Sequence, residues 1–195
     1  MSDSSPKAIV LAGPNGAGKT TASRTFLADS LGVTTFVNPD VIAQGLSGFD
    51  PDSAAFEASR IMLAKLRDLA DQRTDFAFET TLAARSYAAW LKSIRQSSYT
   101  VLLFYIWLAS PELAVARVAQ RVGTGGHNIP TATIRQRYRR SIRNFFDLYR
   151  PAVSFWRVYD NSVPQQPQLV AQGGETGNES IFLEPIWLKM KESCK

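Results

Sequence analysis

Residues 7–21 read KAIVLAGPNGAGKTT, an apolar run followed by the spacing G-x-x-x-x-G-K-T. In a loop with this spacing the glycines let backbone N–H groups face a polyphosphate, Lys19 reaches the β and γ phosphates, and the Thr20 hydroxyl binds Mg²⁺. A helix predicted from Thr20 to Ser30 would point its positive end at the same anion. A glycine-rich turn with an incidental lysine is the alternative. The residues predicted to bind the nucleotide are Gly13, Pro14, Asn15, Gly16, Ala17, Gly18, Lys19, Thr20 and Thr21, with Thr20 as the metal ligand.

Strand-like and helix-like segments alternate along the rest of the 195 residues. This alternation predicts an α/β fold of the P-loop NTPase type, a three-layer α/β/α arrangement with a mostly parallel sheet. Length and a hydrophobic content of 45% favour a single domain over residues 1–195. The segments with strand character are 8–12, 34–37, 76–78, 99–108 and 155–159, and those with helical character include 83–94, 111–122 and 131–149.

Two of the strand predictions have a definite place in the sheet. Residues 99–108 form the most apolar run of the chain, which is typical of a central strand buried on both faces. Residues 168–172 and 180–183 flank a glycine-rich turn, and they predict an antiparallel hairpin at the sheet edge, within about 167–186.

Composition limits where the protein works. No stretch approaches the roughly 18 apolar residues needed to cross a bilayer, and residues 1–6 lack the features of a secretion signal. Cys194 is the single cysteine, which excludes a disulfide within the chain and a cysteine-built metal site. We therefore expect a cytoplasmic protein that does not associate with membranes.

The basic residues are concentrated in one segment. The net charge is +5, and the segment from Arg117 to Arg150 holds eight arginines but a single acid, Asp147. Two helical patterns in this segment are joined by glycines at 123–126, so we predict a helical lid at about 117–140 that closes over the phosphate site. An ordinary helix hairpin with solvated arginines is the alternative. Because the loop favours a small polyanion, nucleic acid is not the expected partner.

Two carboxylates follow predicted strands and could act on a phosphoryl acceptor. Transfer of a γ-phosphoryl group needs a carboxylate at the attacking hydroxyl, and parallel strands bring their carboxyl ends to one crevice. Asp40 follows the second strand and is predicted to be the catalytic base, or else the N-cap of a helix from Val41. Glu79 and Thr81 follow the third strand and are predicted to hold the acceptor. Capping, or an indirect hold on Mg²⁺, is the alternative for Glu79.

Arginines supply the positive charge that this reaction needs. Arg117 and Arg121 lie four residues apart and share a helix face, so both can reach one anion. We predict that Arg121 and Arg137 neutralise the transferring phosphoryl group and that Arg117 binds substrate. His127, in the predicted lid, either contacts substrate or donates to a loop carbonyl. One flank of the second helix faces the site, either Arg137, Arg140 and Asn144 or Arg135, Arg139 and Arg143.

Six motifs occur together along roughly residues 8–162. They are GPNGAGKTT (13–21), VNPD (37–40), FETT (78–81), RVAQRVGTGGHNIP (117–130), IRQRYRRS (134–141) and YDNS (159–162). Taken together, they resemble the motifs of the zeta toxin family of P-loop kinases. The resemblance implies transfer of a phosphoryl group from ATP or GTP, with Mg²⁺, to a hydroxyl of UDP-N-acetylglucosamine, and a small antitoxin partner that blocks the nucleotide site. It also implies that Lys19 binds phosphate, Asp40 is the base, Glu79 and Thr81 hold the acceptor, and Arg121 with a second lid arginine engages the phosphates.

The chain also departs from that family. The strand at 99–108 does not end in an acid, so the acid near Mg²⁺ would be Asp40 or Glu79. Asn161 is expected near the adenine, and the absence of a guanine-reading N-K-x-D favours ATP over GTP. The chain is short and its lid differs in character, which leaves an antibiotic, a simple sugar or a nucleic-acid end as other acceptors. A nucleotide-gated module that binds nucleic acid or protein is the non-enzymatic alternative.

Overall fold

A single sheet forms the centre of the computed structural model, which describes residues 5–21, 32–48, 53–123, 125–126, 128–164, 166–175 and 177–194. Its strands lie in the order β2-β3-β1-β4-β5-β6-β7. The first five of these are parallel, and β5, β6 and β7 pair antiparallel. The strands are β1 (Lys7–Ala12), β2 (Phe36–Val37), β3 (Phe76–Thr80), β4 (Thr100–Trp107), β5 (Phe155–Asp160), β6 (Gln168–Gly174) and β7 (Glu179–Ile181).

Among the described residues, helices lie between β2 and β3, between β3 and β4 and between β4 and β5, and one follows β7. None of those in the described ranges is long and apolar enough to cross a membrane. They are α1 (Pro39–Leu46), α2 (Ala55–Asp71), α3 (Ser86–Gln96), α4 (Pro111–Gly123), α5 (Thr131–Asn144) and α6 (Glu184–Glu192). Helix α5 continues into a π-helical turn, Phe145–Tyr149, and a 3₁₀ turn, Arg150–Ala152.

Both faces of the sheet are buried, which explains the continuous apolar runs. In β1, Val10 belongs to one hydrophobic cluster and Ile9 to another, and both are 0% exposed. The cluster of Val10 also contains Leu66 of α2, Leu91 of α3 and Ile134 of α5. The predicted α/β class with a mostly parallel sheet, the central position of 99–108 and the antiparallel hairpin are confirmed.

The structure corrects several element boundaries. The predicted strand at 34–37 is reduced to its last two residues. The hairpin ends at Ile181 and not near 186, because Glu184 already begins α6. The helix predicted over 131–149 is α-helical only to Asn144, after which the backbone widens into the π turn. The helix predicted from Thr20 is described only as far as Thr21, and the rest lies outside the described residues.

Candidate active site

The glycine loop follows β1 at the carboxyl end of the sheet, and its glycines are required by space as well as by backbone angle. Gly13, Gly16 and Gly18 have φ of +144°, +75° and +87°. A Cβ on Gly13 would lie 2.2 Å from the carbonyl oxygen of Ile106 in β4, and one on Gly18 would lie 2.8 Å from Nδ2 of Asn161. A Cβ on Gly16 would meet a carbonyl of α4 at 2.9 Å. The loop is therefore held between β4, α4 and the end of β5.

Glu79 joins this loop to the neighbouring strand. Its Oε1 lies 3.6 Å from Nζ of Lys19, and its Oε2 accepts a hydrogen bond from the Thr20 hydroxyl at 2.9 Å. Lys19 also donates to the carbonyl of Pro14 at 3.0 Å. Both charged residues are buried, 6% and 7% exposed, where an ion pair is needed to offset desolvation. Of the two acids that the sequence allowed near Mg²⁺, Glu79 is the one in contact with Thr20, the predicted metal ligand.

Register explains why Glu79 reaches the loop. Leu11 of β1 pairs with Glu79 of β3, so the carboxylate arises one residue before the end of its strand and beside the start of the loop. Its side chain accepts hydrogen bonds from Thr20 and Asn38, and in the part of the chain that the structure describes it accepts none from the N-terminal N–H groups of a helix. The capping alternative for Glu79 is therefore wrong.

Asn38 connects the two predicted carboxylates. Its Oδ1 accepts hydrogen bonds from the backbone N–H groups of Asp40 at 2.8 Å and Val41 at 3.4 Å, so Asn38 is the N-cap of α1. Its Nδ2 donates to Oε2 of Glu79 at 3.1 Å. The alternative that Asp40 caps the helix is wrong. Instead, Asp40 lies exposed in the first turn, and its carboxylate has no hydrogen bond or ion pair among the described residues.

Sequence reasoning missed this role of Asn38, although a signal was present. Asparagine is a favoured N-cap, and Pro39 after it is a favoured first helical residue. The Asn-Pro pair thus places the N-cap at Asn38, two residues before the predicted cap position at Asp40.

The arginines of α4 lie beside the loop and the glycine connection. Arg117 donates from its guanidinium to the carbonyl of Ser162 at 2.9 Å, and its Cβ lies against Gly16. Arg121 is half-buried and lies against Gly126, where an added Cβ would be 2.5 Å from its Cγ. The backbone N–H of Gly126 donates to the carbonyl of Arg121 at 2.9 Å, which closes the end of the helix. The two side chains therefore contact different neighbours while sharing a helix face.

Helix α5 turns the flank of Arg137 and Asn144 toward the loop after β3. Asn144 is 7% exposed, and its Nδ2 donates to the carbonyl of Leu82 at 2.7 Å. Arg137, two turns earlier on this flank, is half-buried. On the other flank Arg135 pairs with a glutamate of α4 at 3.7 Å, and Arg143 donates to a C-terminal carbonyl at 3.4 Å. Asn144 of this predicted flank thus contacts the loop after β3, whereas Arg140, predicted on the same flank, is exposed and lines a groove with Arg135, Arg139 and Arg143.

The remaining predicted residues have other surroundings. Thr81 is half-buried, and its hydroxyl accepts a hydrogen bond from the N–H of Ala83 at 3.4 Å. Asn161 donates to the carbonyl of Ala17 at 2.8 Å and so supports the glycine loop, and its proximity to adenine stays a prediction. His127 lies outside the described residues.

The residues around the loop fit a nucleotide with Mg²⁺. The buried Oδ1 of Asn15 has no hydrogen-bond partner within the described chain, and it lies in a loop whose glycines leave no room for side chains. The Thr20 hydroxyl and the Glu79 carboxylate are oxygen ligands of the kind that Mg²⁺ prefers. No group of three or more His, Cys, Asp or Glu that could hold a metal occurs in the described ranges.

Comparison with known proteins gives a consistent result. The family model for Zeta toxin matches residues 1–162. An uncharacterized protein of Haemophilus influenzae is 31% identical over 132 residues, which cover 68% of this chain and 92% of that protein.

Solved structures share the fold at low identity. A chain of the AvrRxo1-ORF1:AvrRxo1-ORF2 complex with sulphate ions has a TM-score of 0.76 and 17% identity, and the match covers 95% of this chain but only 63% of that one. The same complex has also been crystallised with ATP. A structure from the PezAT chromosomal toxin-antitoxin system of Streptococcus pneumoniae has a TM-score of 0.63 and 16% identity, with 99% and 87% of the two chains covered.

Proposed function

Because the chain belongs to the zeta toxin family, we propose that it is an ATP-dependent phosphotransferase that acts on an alcohol group of a small molecule. One observation carries the proposal. The Glu79 carboxylate contacts Lys19 and Thr20 of the glycine loop, and Asn38 links it to the helix that bears Asp40. A phosphate cradle, a metal-binding hydroxyl and a second carboxylate thus lie at one edge of the sheet, as in-line phosphoryl transfer requires.

The residues divide the work as follows. The loop N–H groups and Lys19 would hold the β and γ phosphates, and Thr20 with Glu79 would hold Mg²⁺, which supplies neutralisation of phosphate charge. Asp40 would take the proton of the acceptor hydroxyl. As it does so, the hydroxyl oxygen of the acceptor forms a bond to the γ phosphorus, and the bond between that phosphorus and the bridging oxygen that leaves with ADP breaks. Arg121 and Arg137 would stabilise the charge on the transferring group, a role worth roughly 10³ or more in rate.

The cofactor and acceptor are proposed on separate grounds. ATP is supported by the related complex that was crystallised with it and by the missing guanine motif. For the acceptor we favour a nucleotide sugar such as UDP-N-acetylglucosamine, on the family resemblance. The match covers 63% of the AvrRxo1 chain, so the acceptor is proposed from the family resemblance and not from that longer protein.

A small antitoxin is the proposed protein partner. Two structural neighbours described above are named together with a second protein. One belongs to a toxin-antitoxin system, and the other was crystallised as a complex of two proteins. These names describe those proteins, and for this chain they support a search for a small partner that binds beside the nucleotide site.

The test is a screen of acceptors by mass. Purified protein with ATP and Mg²⁺ is incubated with UDP-N-acetylglucosamine, simple sugars, an aminoglycoside and an RNA with a free 5′ hydroxyl, and a gain of one phosphate is sought. The matched control is Asp40→Asn, because this exposed carboxylate has no hydrogen bond or ion pair within the described ranges and can be changed with little effect on the fold. We expect transfer to fall by orders of magnitude and ATP binding to persist. Full turnover by Asp40→Asn would reject its role as base.

A binding module is the second candidate, and the exposed arginines on α5 favour it. Arg135, Arg139, Arg140 and Arg143 line one shallow groove on the outer side of that helix. If the protein transfers no phosphate, and binds RNA with a steep salt dependence that survives the loss of Lys19, this second function is correct.

A further inference from the structure

The loop that follows β3 is held in place by residues far away in the chain. Residues 81–85 connect β3 to α3, and Leu82 within them has φ of +56° and is 0% exposed. Local contacts account for only part of its shape. The hydroxyl of Thr80 accepts the N–H of Leu82 at 3.1 Å, and the hydroxyl of Thr81 accepts the N–H of Ala83. The carbonyls of residues 82–84 are left for partners outside the loop.

Two side chains, one at the end of α5 and one in the π turn that follows it, donate hydrogen bonds to all three carbonyls. Asn144 donates to Leu82 O at 2.7 Å and to Ala83 O at 3.3 Å. The hydroxyl of Tyr149 donates to Ala84 O at 2.6 Å. Burial raises the pKa of Tyr149, which keeps the hydroxyl protonated and able to donate. The hydrogen bond to Leu82 O is buried, while those to Ala83 O and Ala84 O are partly buried. A buried carbonyl is costly when it loses its donor and a partly buried one is less so, so Asn144 contributes more than Tyr149 to the loop conformation.

The π turn explains how one segment reaches three consecutive carbonyls. In an α-helix, residues five apart differ by roughly 140° around the axis, so Asn144 and Tyr149 would point to different sides. The i→i+5 pairing of a π turn brings residues five apart toward the same side, and the turn here covers Phe145–Tyr149. π turns of this kind are frequent at functional sites.

We propose that Asn144 and Tyr149 are positioning residues that fix the loop at 81–85 against the helix carrying Arg137, and thereby set the place of the phosphoryl acceptor. The proposal rests on the function proposed above, in which Glu79 and Thr81 lie on the acceptor side. Arg137 lies two turns before Asn144 on the same flank, so one helix fixes both the loop and the arginine. The distance between acceptor and transferring phosphoryl group then follows from these contacts.

A purely structural role for the pair is the competing explanation, and α5 has other anchors that carry such a role. Its buried face includes Ile134, Tyr138 and Ile142. Tyr138 donates to the carbonyl of Leu108 at 2.6 Å, and Ser141 shares a hydrogen bond with Tyr105 at 2.8 Å. Tyr105→Phe is therefore a matched control, because it removes a buried tyrosine hydroxyl from the same helix interface without touching the loop.

The experiment compares Tyr149→Phe and Asn144→Ala with wild type and Tyr105→Phe. With UDP-N-acetylglucosamine as the acceptor, we expect Asn144→Ala to raise the acceptor KM or lower kcat by about five- to tenfold, the factor expected from a lost buried hydrogen bond. For Tyr149→Phe we expect about two- to fivefold, because its hydrogen bond is partly buried. The KM for ATP should stay within about twofold, because the glycine loop is untouched. Unchanged acceptor kinetics, or an equal change in Tyr105→Phe, would overturn the proposal.

A second measurement separates failure of this proposal from failure of the proposed function. Hydrogen exchange of the backbone amides at 82–85 needs no acceptor. Faster exchange confined to these amides in Tyr149→Phe and Asn144→Ala supports the proposal even if wild type transfers nothing to the probe, in which case only the acceptor assignment is wrong. Exchange equal to wild type in both variants overturns it.

Discussion

Asn38 is predicted to support both stability and catalysis, and two substitutions separate its contacts. Asn38→Ser keeps an N-cap oxygen for α1 but loses the donor to Glu79, and Asn38→Ala loses both. A hydrogen bond to a charged group contributes about 1.5–3 kcal/mol, and an N-cap contributes about 1 kcal/mol. We therefore expect the free energy of unfolding to fall by about 2 kcal/mol in the serine variant and about 3 kcal/mol in the alanine variant.

The assay is urea unfolding followed by tryptophan fluorescence, with kcat measured on the same preparations. For a chain of this size the losses correspond to Tm decreases of about 4–8 °C and 6–12 °C. Tyr99→Phe is the control, because its hydroxyl donates to the carbonyl of Thr74 at 3.0 Å at the opposite end of the sheet. It should lose about 1 kcal/mol and keep kcat. If Asn38→Ser matches wild type in both its free energy of unfolding and its kcat, the hydrogen bond between Asn38 and Glu79 contributes to neither stability nor catalysis.

Other substitutions and a pH effect follow from the same contacts. Gly13→Ala should lose more than about 3 kcal/mol or fail to fold, because its Cβ would lie 2.2 Å from the carbonyl oxygen of Ile106, whereas Gly45→Ala, in open space on α1, should gain about 0.5–1 kcal/mol. Equal urea midpoints for the two would refute this. Arg121→Ala should lower kcat more than ATP affinity in parallel kinetic and binding measurements, and an equal loss would limit it to ground-state binding. Burial raises the pKa of the Cys194 thiol to about 11 from 9.0, so the folded chain retains a proton that the unfolded chain loses above pH 9. The contribution of the Cys194 thiol to the free energy of unfolding is therefore complete below pH 9 and is lost as the pH rises to 11. At pH 9, a thiol reagent should modify Cys194 faster in the protein unfolded by urea than in the folded protein.

The features that the sequence predicted correctly depend on local pattern. The glycine spacing after an apolar run determines the loop, and the uninterrupted apolar run around Leu103 determines a strand buried on both faces. Both depend on residues that are close together in the chain. The antiparallel hairpin was predicted for the same reason, from two short runs with a turn between them.

The features that were missed depend on residues far apart in the chain. The partners of Glu79 lie 59 residues away at Thr20 and 41 residues away at Asn38, and only the strand register brings them together. Local pattern also hides the π turn, since the aromatic residues after Asn144 continue a helical period. Helix α6 is short, and two fully buried residues, Trp187 and Met190, hold it to the core, which is too few for a periodic signal.

The contact between Lys19 and Glu79 affects how an inactive form should be made for studies in cells. Removing the lysine alone leaves the buried Glu79 carboxylate without its cation, and breaking such a pair costs about 3–5 kcal/mol. An allele of that kind lowers protein abundance together with activity, so a lost phenotype would not distinguish the two causes. Asp40→Asn changes a solvent-facing carboxylate and leaves this neutral pair intact, which makes it the cleaner genetic control.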